Sequence, residues 1–250
     1  MDLSVQAYIL LFGAALLAGF VDAIAGGGGI ITIPMLLTVG LPPHLALGTN
    51  KLQASFGSFT ATLNYRRGGL VQGPALLWGI LCTAIGAGVG AIAIQAISAN
   101  LLQQAIPVVL IAVFVYVLIH PDLGTASRPQ KFTPWIFYLL FGLLIGFYDG
   151  FFGPGTGSFW TLAFVLCLGL DLKRATGHTK VLNFTSNIVA LLGFALGGNV
   201  VCSIGILMGI GQVMGATLGS HLVLKRSTRF VRVFFLIVVA LTIVKLLFTQ

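Results

Sequence analysis

Charge is scarce in this chain of 250 residues. Only 7% of them are Asp, Glu, Lys or Arg, and glutamate is missing altogether; a soluble domain carries ~25%. With 58% hydrophobic residues and a mean hydropathy of +1.06, that scarcity excludes an ordinary water-soluble domain. Cysteine is scarce too. Cys82, Cys167 and Cys202 lie far apart in apolar runs, without metal-ligand spacing, and their odd number argues against a disulfide framework. They read as small core residues, and no metal or cofactor is expected. The alternating strands of ~10 residues that mark a membrane β-barrel are absent. Two enzyme signatures fail. GPGTGS, Gly153 to Ser158, lacks a preceding strand and a following GK[ST], so it is no nucleotide loop. No GxSxG accompanies His178, so an intramembrane serine protease would lack its nucleophile.

Long apolar runs are what the chain does have. They fall near 5–25, 71–94, 104–119, 134–152, 177–197, 200–222 and 230–249, and approach the ~20 residues that cross a bilayer. They predict an all-α polytopic membrane protein. The first run has no basic segment ahead of it and flows into a glycine motif, so it reads as a retained span and not a signal peptide. The formal net charge of +8 sits mostly in short loops. That placement fits membrane orientation better than nucleic acid, and no nucleic-acid partner is expected.

Two stretches organise the chain, and they are copies of one another. GFVDAIAGGGGIITIP runs from Gly19 to Pro34, and GFYDGFFGPGTGSFWT from Gly146 to Thr161. Each is a helix-like run with one lone aspartate, Asp22 or Asp149, that breaks at a glycine cluster. Glycine costs a helix ~1 kcal/mol relative to alanine. A break also frees backbone groups that hydrocarbon cannot satisfy, so it must pack in protein or line a wet cavity. Paired breaks at matching positions point to a transporter's binding site. Farther on, ATGHTKVLNFTSN (175–187) repeats ALGTNKLQASFGS (46–58), placing Lys180 on Lys51, and Gly215-Ala216 is matched with Gly90-Ala91. The offset is about 125–129 residues. Residues 1–119 and 134–250 are therefore expected to be two repeats of one membrane domain, joined by the linker 120–133.

Loop charges orient the repeats. Arg66-Arg67 mark one loop of the first half, while Lys173-Arg174 and the basic cluster at 225–232 mark non-corresponding loops of the second. By the positive-inside rule the copies are inverted in the membrane. This predicts 66–67, 120–133, 171–174 and 224–232 on the cytoplasmic side and both termini outside, with about eight to ten crossings. The arms 30–40 and 157–168 are too short to cross alone, since ~11 residues rise only ~17 Å.

Few ionisable residues lie inside the apolar runs: Asp22, Lys51, Asp149, His178 and Lys180. Each costs at least ~2.5 kcal/mol at a bilayer centre and needs an interior partner. One aspartate and one lysine per half suggest the pairs Asp22–Lys51 and Asp149–Lys180. Such pairs either lock each broken helix or serve function, as a proton-coupling carboxylate or as lysines that draw in an anion. Asn50, Gln53 and Gly57 share one helical face, and Lys180, Asn183 and Asn187 repeat that spacing. The stripes suit a substrate path or hydrogen bonds between helices. Free N–H groups and the positive ends of half-helices favour an anion. The candidate binding residues are Gly26, Gly27, Gly28, Gly29, Asn50, Lys51 and Gln53 in the first half. In the second they are Gly153, Gly155, Thr156, Gly157, His178, Lys180, Asn183 and Asn187. Asp22 and Asp149 are candidate coupling groups or structural ion-pair partners.

AGFVDAIAGGGGIITIP with ALGTNKLQA, and GFYDGFFGPGTGSF with ATGHTKVLNFTSNI, closely resemble the sulfite exporter TauE/SafE (TSUP) family over nearly the whole chain. The resemblance implies a secondary transporter of the bacterial inner membrane, not an enzyme. It would move a small sulfur-containing anion of the sulfite, thiosulfate or organosulfonate class by alternating access. The alternative is a passive conduit or an assembly protein without coupled transport. Thiosulfate-importing relatives hold the anion on cysteines along the central path. Here the three cysteines lie outside both glycine motifs and both repeated helices, which departs from that pattern. The expected partners are a small anion and the lipid bilayer, with proton coupling and a homo-oligomer both open.

Overall fold

The structure is a computed structural model that describes residues 3–106, 108, 112 and 129–226. Most of the run expected at 104–119, all of that at 230–249, and most of the linker 120–133 lie outside the described residues.

Among the described residues the chain forms helices and no strands. The first half folds as α1 (Val5–Ala25), α2 (Gly28–Thr38), α3 (Pro43–Arg67) and α4 (Ala75–Gln95). The second folds as α5 (Pro134–Phe151), α6 (Thr156–Cys167), α7 (Leu172–Leu196) and α8 (Cys202–Lys225). α1, α4, α5, α7 and α8 are long and apolar enough to cross a bilayer. α3 is also 25 residues long, but its buried face is polar, carrying Asn50, Lys51, Gln53 and Ser58. Such a face is stable in a membrane only when turned into protein. At 11 and 12 residues, α2 and α6 rise only ~17–18 Å and stop short of the ~30 Å hydrocarbon core. They are the expected arms. Local chemistry sets the ends: the Asp171 carboxylate accepts from the Lys173 and Arg174 N–H groups at 3.0 and 3.1 Å and caps α7.

The halves exchange helices. α1 packs along α8, and α5 packs along α4; α3 meets α7 and α8, and α7 meets α4. Small residues permit this close approach. A Cβ on Gly86 of α4 would lie 2.4 Å from the Leu143 carbonyl oxygen of α5, and one on Gly215 of α8 would lie 2.0 Å from the Leu16 carbonyl oxygen of α1. Gly215 therefore occupies the place of Gly86. This corrects the match with Gly90 by one helical turn, because Gly86-Ala87 and Gly90-Ala91 are the same dipeptide on the same face of α4.

Reciprocal clasps close both ends of the bundle. The chain between α7 and α8 lies on Gly48 of α3, whose Cβ would sit 2.0 Å from the Asn199 carbonyl oxygen; the Val201 N–H donates to Thr49 Oγ1 at 3.0 Å. The chain between α3 and α4 lies on Gly177 of α7, whose Cβ would sit 3.1 Å from the Leu70 carbonyl oxygen; the Gln72 N–H donates to His178 Nε2 at 3.4 Å. Each half thus seals the other with the same device.

Candidate functional site

Glycine makes the breaks possible. α1 ends on Gly26 at φ 75°, followed by Gly27 at φ 110°, and α5 gives way to Gly153 at φ 99° and Gly155 at φ 78°. Other residues reach this region only with strain. The breaks meet back to back: a Cβ on Gly26 would lie 2.5 Å from the Cα of Gly157, and Ser158 Oγ donates to the Ala25 carbonyl oxygen at 3.1 Å.

Two buried ion pairs bracket this junction, and they cross between the halves. Lys51 Nζ on α3 lies 2.7 Å from Asp149 Oδ1 at the end of α5. It also donates to the Asp149 carbonyl oxygen, one of the last-turn carbonyls that a helix end leaves free. The other carboxylate oxygen accepts from Ser186 Oγ. Lys180 Nζ on α7 lies 2.9 Å from Asp22 Oδ2 on α1. The pairing expected within each half is therefore corrected to Lys51–Asp149 and Lys180–Asp22. Each lysine reaches the far half because the breaks abut there. At Gly153, a Cβ would lie 2.6 Å from Lys51 Nζ, so only a bare glycine leaves room for the ammonium.

Asp22 does more than pair. Its Oδ1 accepts from the Gly27 and Gly28 N–H groups at 3.0 and 3.2 Å. These are amides at the start of α2 that were expected to be free for an anion; the chain's own carboxylate occupies them. Beside it, Thr32 Oγ1 donates to Asn50 Oδ1 at 2.6 Å, and Gln53 Nε2 donates to Asn50 Oδ1 at 2.8 Å.

A cavity of about 30 Å³ lies between the breaks. The first half lines it with Asp22, Gly27, Gly28, Gly29, Asn50, Lys51 and Gln53. The second half lines it with Asp149, Gly153, Thr156, Gly157, Asn183 and Asn187. The structure thus brings together most of the expected residues. Gly26 and Gly155 shape the breaks without lining the cavity, and Lys180 stands behind Asp22. Cys82 is buried and Cys167 half-buried. Cys202, expected in the core, is exposed because it opens α8.

His178 is elsewhere. Its Nδ1 lies 3.4 Å from Tyr138 Oη and its ring packs on Phe164, within the clasp that holds Gln72. His178→Leu is expected to leave ligand binding unchanged while lowering stability by ~1 kcal/mol, one net hydrogen bond. Calorimetric titration and thermal unfolding of the same preparation check both halves of that statement.

Gln212 and Ala54 also line the cavity. Gln212 is buried, and two glycines make room for it: a Cβ on Gly57 would lie 2.3 Å from its Oε1, and one on Gly19 would lie 2.6 Å from its backbone oxygen. A lone amide in the apolar run 200–222 was the available signal, since polar groups inside spans need interior partners.

The sequence model of the sulfite exporter TauE/SafE family matches residues 11–246. The chain belongs to the TauE/SafE family. Among its relatives, the probable membrane transporter protein YfcA of Escherichia coli K12 is 45% identical over 239 residues, covering 96% of this chain and 89% of the relative. The probable membrane transporter protein ORF9 of a Sinorhizobium species is 44% identical over 246 residues, covering 98% and 94%. A probable membrane transporter protein of Haemophilus influenzae is 40% identical over 254 residues, covering 100% and 98%. No solved structure matches the chain. As a TauE/SafE member with five apolar spanning helices among the described residues, the protein is a multi-pass membrane transporter. Its helical spans place it in the bacterial inner membrane, since outer-membrane proteins close as β-barrels.

Proposed function

We propose that this transporter moves a small sulfur-containing anion, of the sulfite or organosulfonate class, by alternating access at the cavity between the glycine breaks. The observation that carries the reading is the crossing of the ion pairs. Both Lys51–Asp149 and Lys180–Asp22 tie one half to the other across the same cavity. Any rocking of half against half must work on these two ties, which couples the site to access. The family's description as a sulfite exporter supplies the substrate class. Asp22 and Asp149 are the carboxylates at hand for proton coupling. The rocking bodies are the two exchanged bundles, α1 with α3 and α8, and α4 with α5 and α7, which both ion pairs still bridge. The repeats 1–119 and 134–250 are inverted in the membrane, with the linker 120–133 on the cytoplasmic side.

Flux into proteoliposomes tests the reading. Labelled sulfite should enter, and unlabelled sulfite on the far side should accelerate that entry, as expected when the site itself reorients. An imposed proton gradient of one sign should drive accumulation. Entry without acceleration and without accumulation would instead indicate a passive conduit. No entry of any sulfur anion would end the proposal.

A further inference from the structure

The cavity's charges cancel. Two lysines face two aspartates in two contacts of 2.7 and 2.9 Å. The amides of Gly27 and Gly28 are spent on Asp22. A bare anion therefore meets an electrically balanced site, and desolvating it there is costly.

Two acceptors at the cavity have no hydrogen-bond donor. Gln53 Oε1 on α3 and Asn183 Oδ1 on α7 are buried without a partner; the two residues are 0% and 4% exposed, and both line the cavity. An unpaired buried acceptor costs ~1–3 kcal/mol. The Gln53 NH₂ group donates to Asn50 Oδ1 at 2.8 Å and to Thr32 Oγ1 at 3.2 Å, which turns its oxygen away from both.

Resting on the reading that a sulfur oxyanion is moved here, we propose that the site selects an oxyanion carrying its own hydrogen-bond donor, such as a hydroxyl- or ammonium-bearing sulfonate, and that Gln53 and Asn183 recognise that donor. The acceptors stand on opposite halves. A donor group held by one and an oxyanion group held by the amide NH₂ groups lets a single small ligand bridge the halves. An ammonium would further leave the balanced site balanced. A ligand showing only oxygens or methyl groups would leave the acceptors unpaired. Sites built to bond a hydroxyl or amine discriminate strongly against analogues without one.

Three sulfonates of nearly equal size isolate the effect: propanesulfonate with a terminal methyl, isethionate with a hydroxyl, and taurine with an ammonium. Their dissociation constants are measured by calorimetry on the purified full chain at one pH. Isethionate should bind at least ~10-fold more tightly than propanesulfonate, about one hydrogen bond's worth. Taurine binding tighter still would identify the ammonium as the preferred donor; isethionate binding tighter than taurine would identify the hydroxyl. Gln53→Met or Asn183→Leu should bring the isethionate ratio toward one with little change for propanesulfonate. Equal binding of all three by the unsubstituted protein would overturn the inference while leaving the anion reading intact. Binding of none of them, and of no sulfite, would remove the anion reading itself. A ratio that persists in both variants would overturn the assignment to Gln53 and Asn183. The comparison in the unsubstituted protein decides the main point even if a variant fails to fold.

Discussion

Lys51→Met is expected to destabilise the folded protein by ~3–5 kcal/mol, the loss seen when one partner of a buried ion pair is removed. Lys51 and Asp149 side chains are 2% and 4% exposed. The substitution leaves the Asp149 carboxylate with only the Ser186 hydroxyl and strips its last-turn carbonyl of a donor. Removing both charges, as in Lys51→Met with Asp149→Leu, should recover most of that loss, because an apolar pair of similar volume often replaces a buried ion pair at little cost. The double-mutant cycle also decides the connectivity. Lys51 and Asp149 should show a coupling energy above ~1 kcal/mol, larger than that of Lys51 with Asp22, which shares only the cavity wall with it. Chemical unfolding in one detergent gives all the corners. Coupling of Lys51 to Asp22 instead would return the pairing to each half and take away the crossing on which the transport reading depends. For Lys180→Met the expected loss is smaller. The Asp22 side chain is 20% exposed and keeps two backbone N–H donors, so its charge is left better solvated.

Much of this was legible because membranes restrict the vocabulary. Apolar length located α1, α4, α5, α7 and α8. The repeat located α3, which apolar length alone would miss, through its likeness to α7: Pro43 to Leu172 and Arg67 to Leu196 are both 129 residues apart, inside the expected offset. The polar stripes then brought Asn50, Gln53, Asn183 and Asn187 to one cavity, since helical spacing fixes which residues share a face. Three features were not legible, each for a stated reason. A repeat shows that every half owns one aspartate and one lysine, but it is silent on whether partners lie within a half or across. The dipeptide Gly-Ala recurs four residues apart in α4, so composition could not choose its register. His178 and Lys180 are two residues apart on one helix, yet two residues rotate the side chain by ~200°. One therefore reaches Asp22 while the other reaches the clasp at Gln72.

Gly26→Ala should be among the most damaging single-methyl additions, and Gly13→Ala nearly silent. At Gly26 two penalties add. An alanine held at φ 75° and ψ 152°, a region that essentially only glycine populates, pays ~1–3 kcal/mol. Its Cβ would also lie 2.5 Å from the Cα and carbonyl carbon of Gly157 and 2.7 Å from the Ser158 nitrogen. Those are backbone atoms that cannot rotate away, so the two breaks must part, at ~1–3 kcal/mol for overpacking. Gly157→Ala meets the same wall from the other side, 2.6 Å from the Gly26 Cα, but lies in the regular helix α6 and escapes the φ penalty. It also pushes to 3.0 Å from Asn183 Nδ2, so it should weaken ligand binding more than its stability loss alone suggests. Gly13, also within a helix, has nothing within 4 Å of its would-be Cβ; alanine there should be neutral or stabilising by up to ~1 kcal/mol. The expected order of thermal midpoints is Gly13→Ala, then Gly157→Ala, then Gly26→Ala. Equal midpoints for Gly26→Ala and Gly13→Ala would mean the breaks are not in contact. The cavity would then have no common wall, and the halves no shared site through which to alternate.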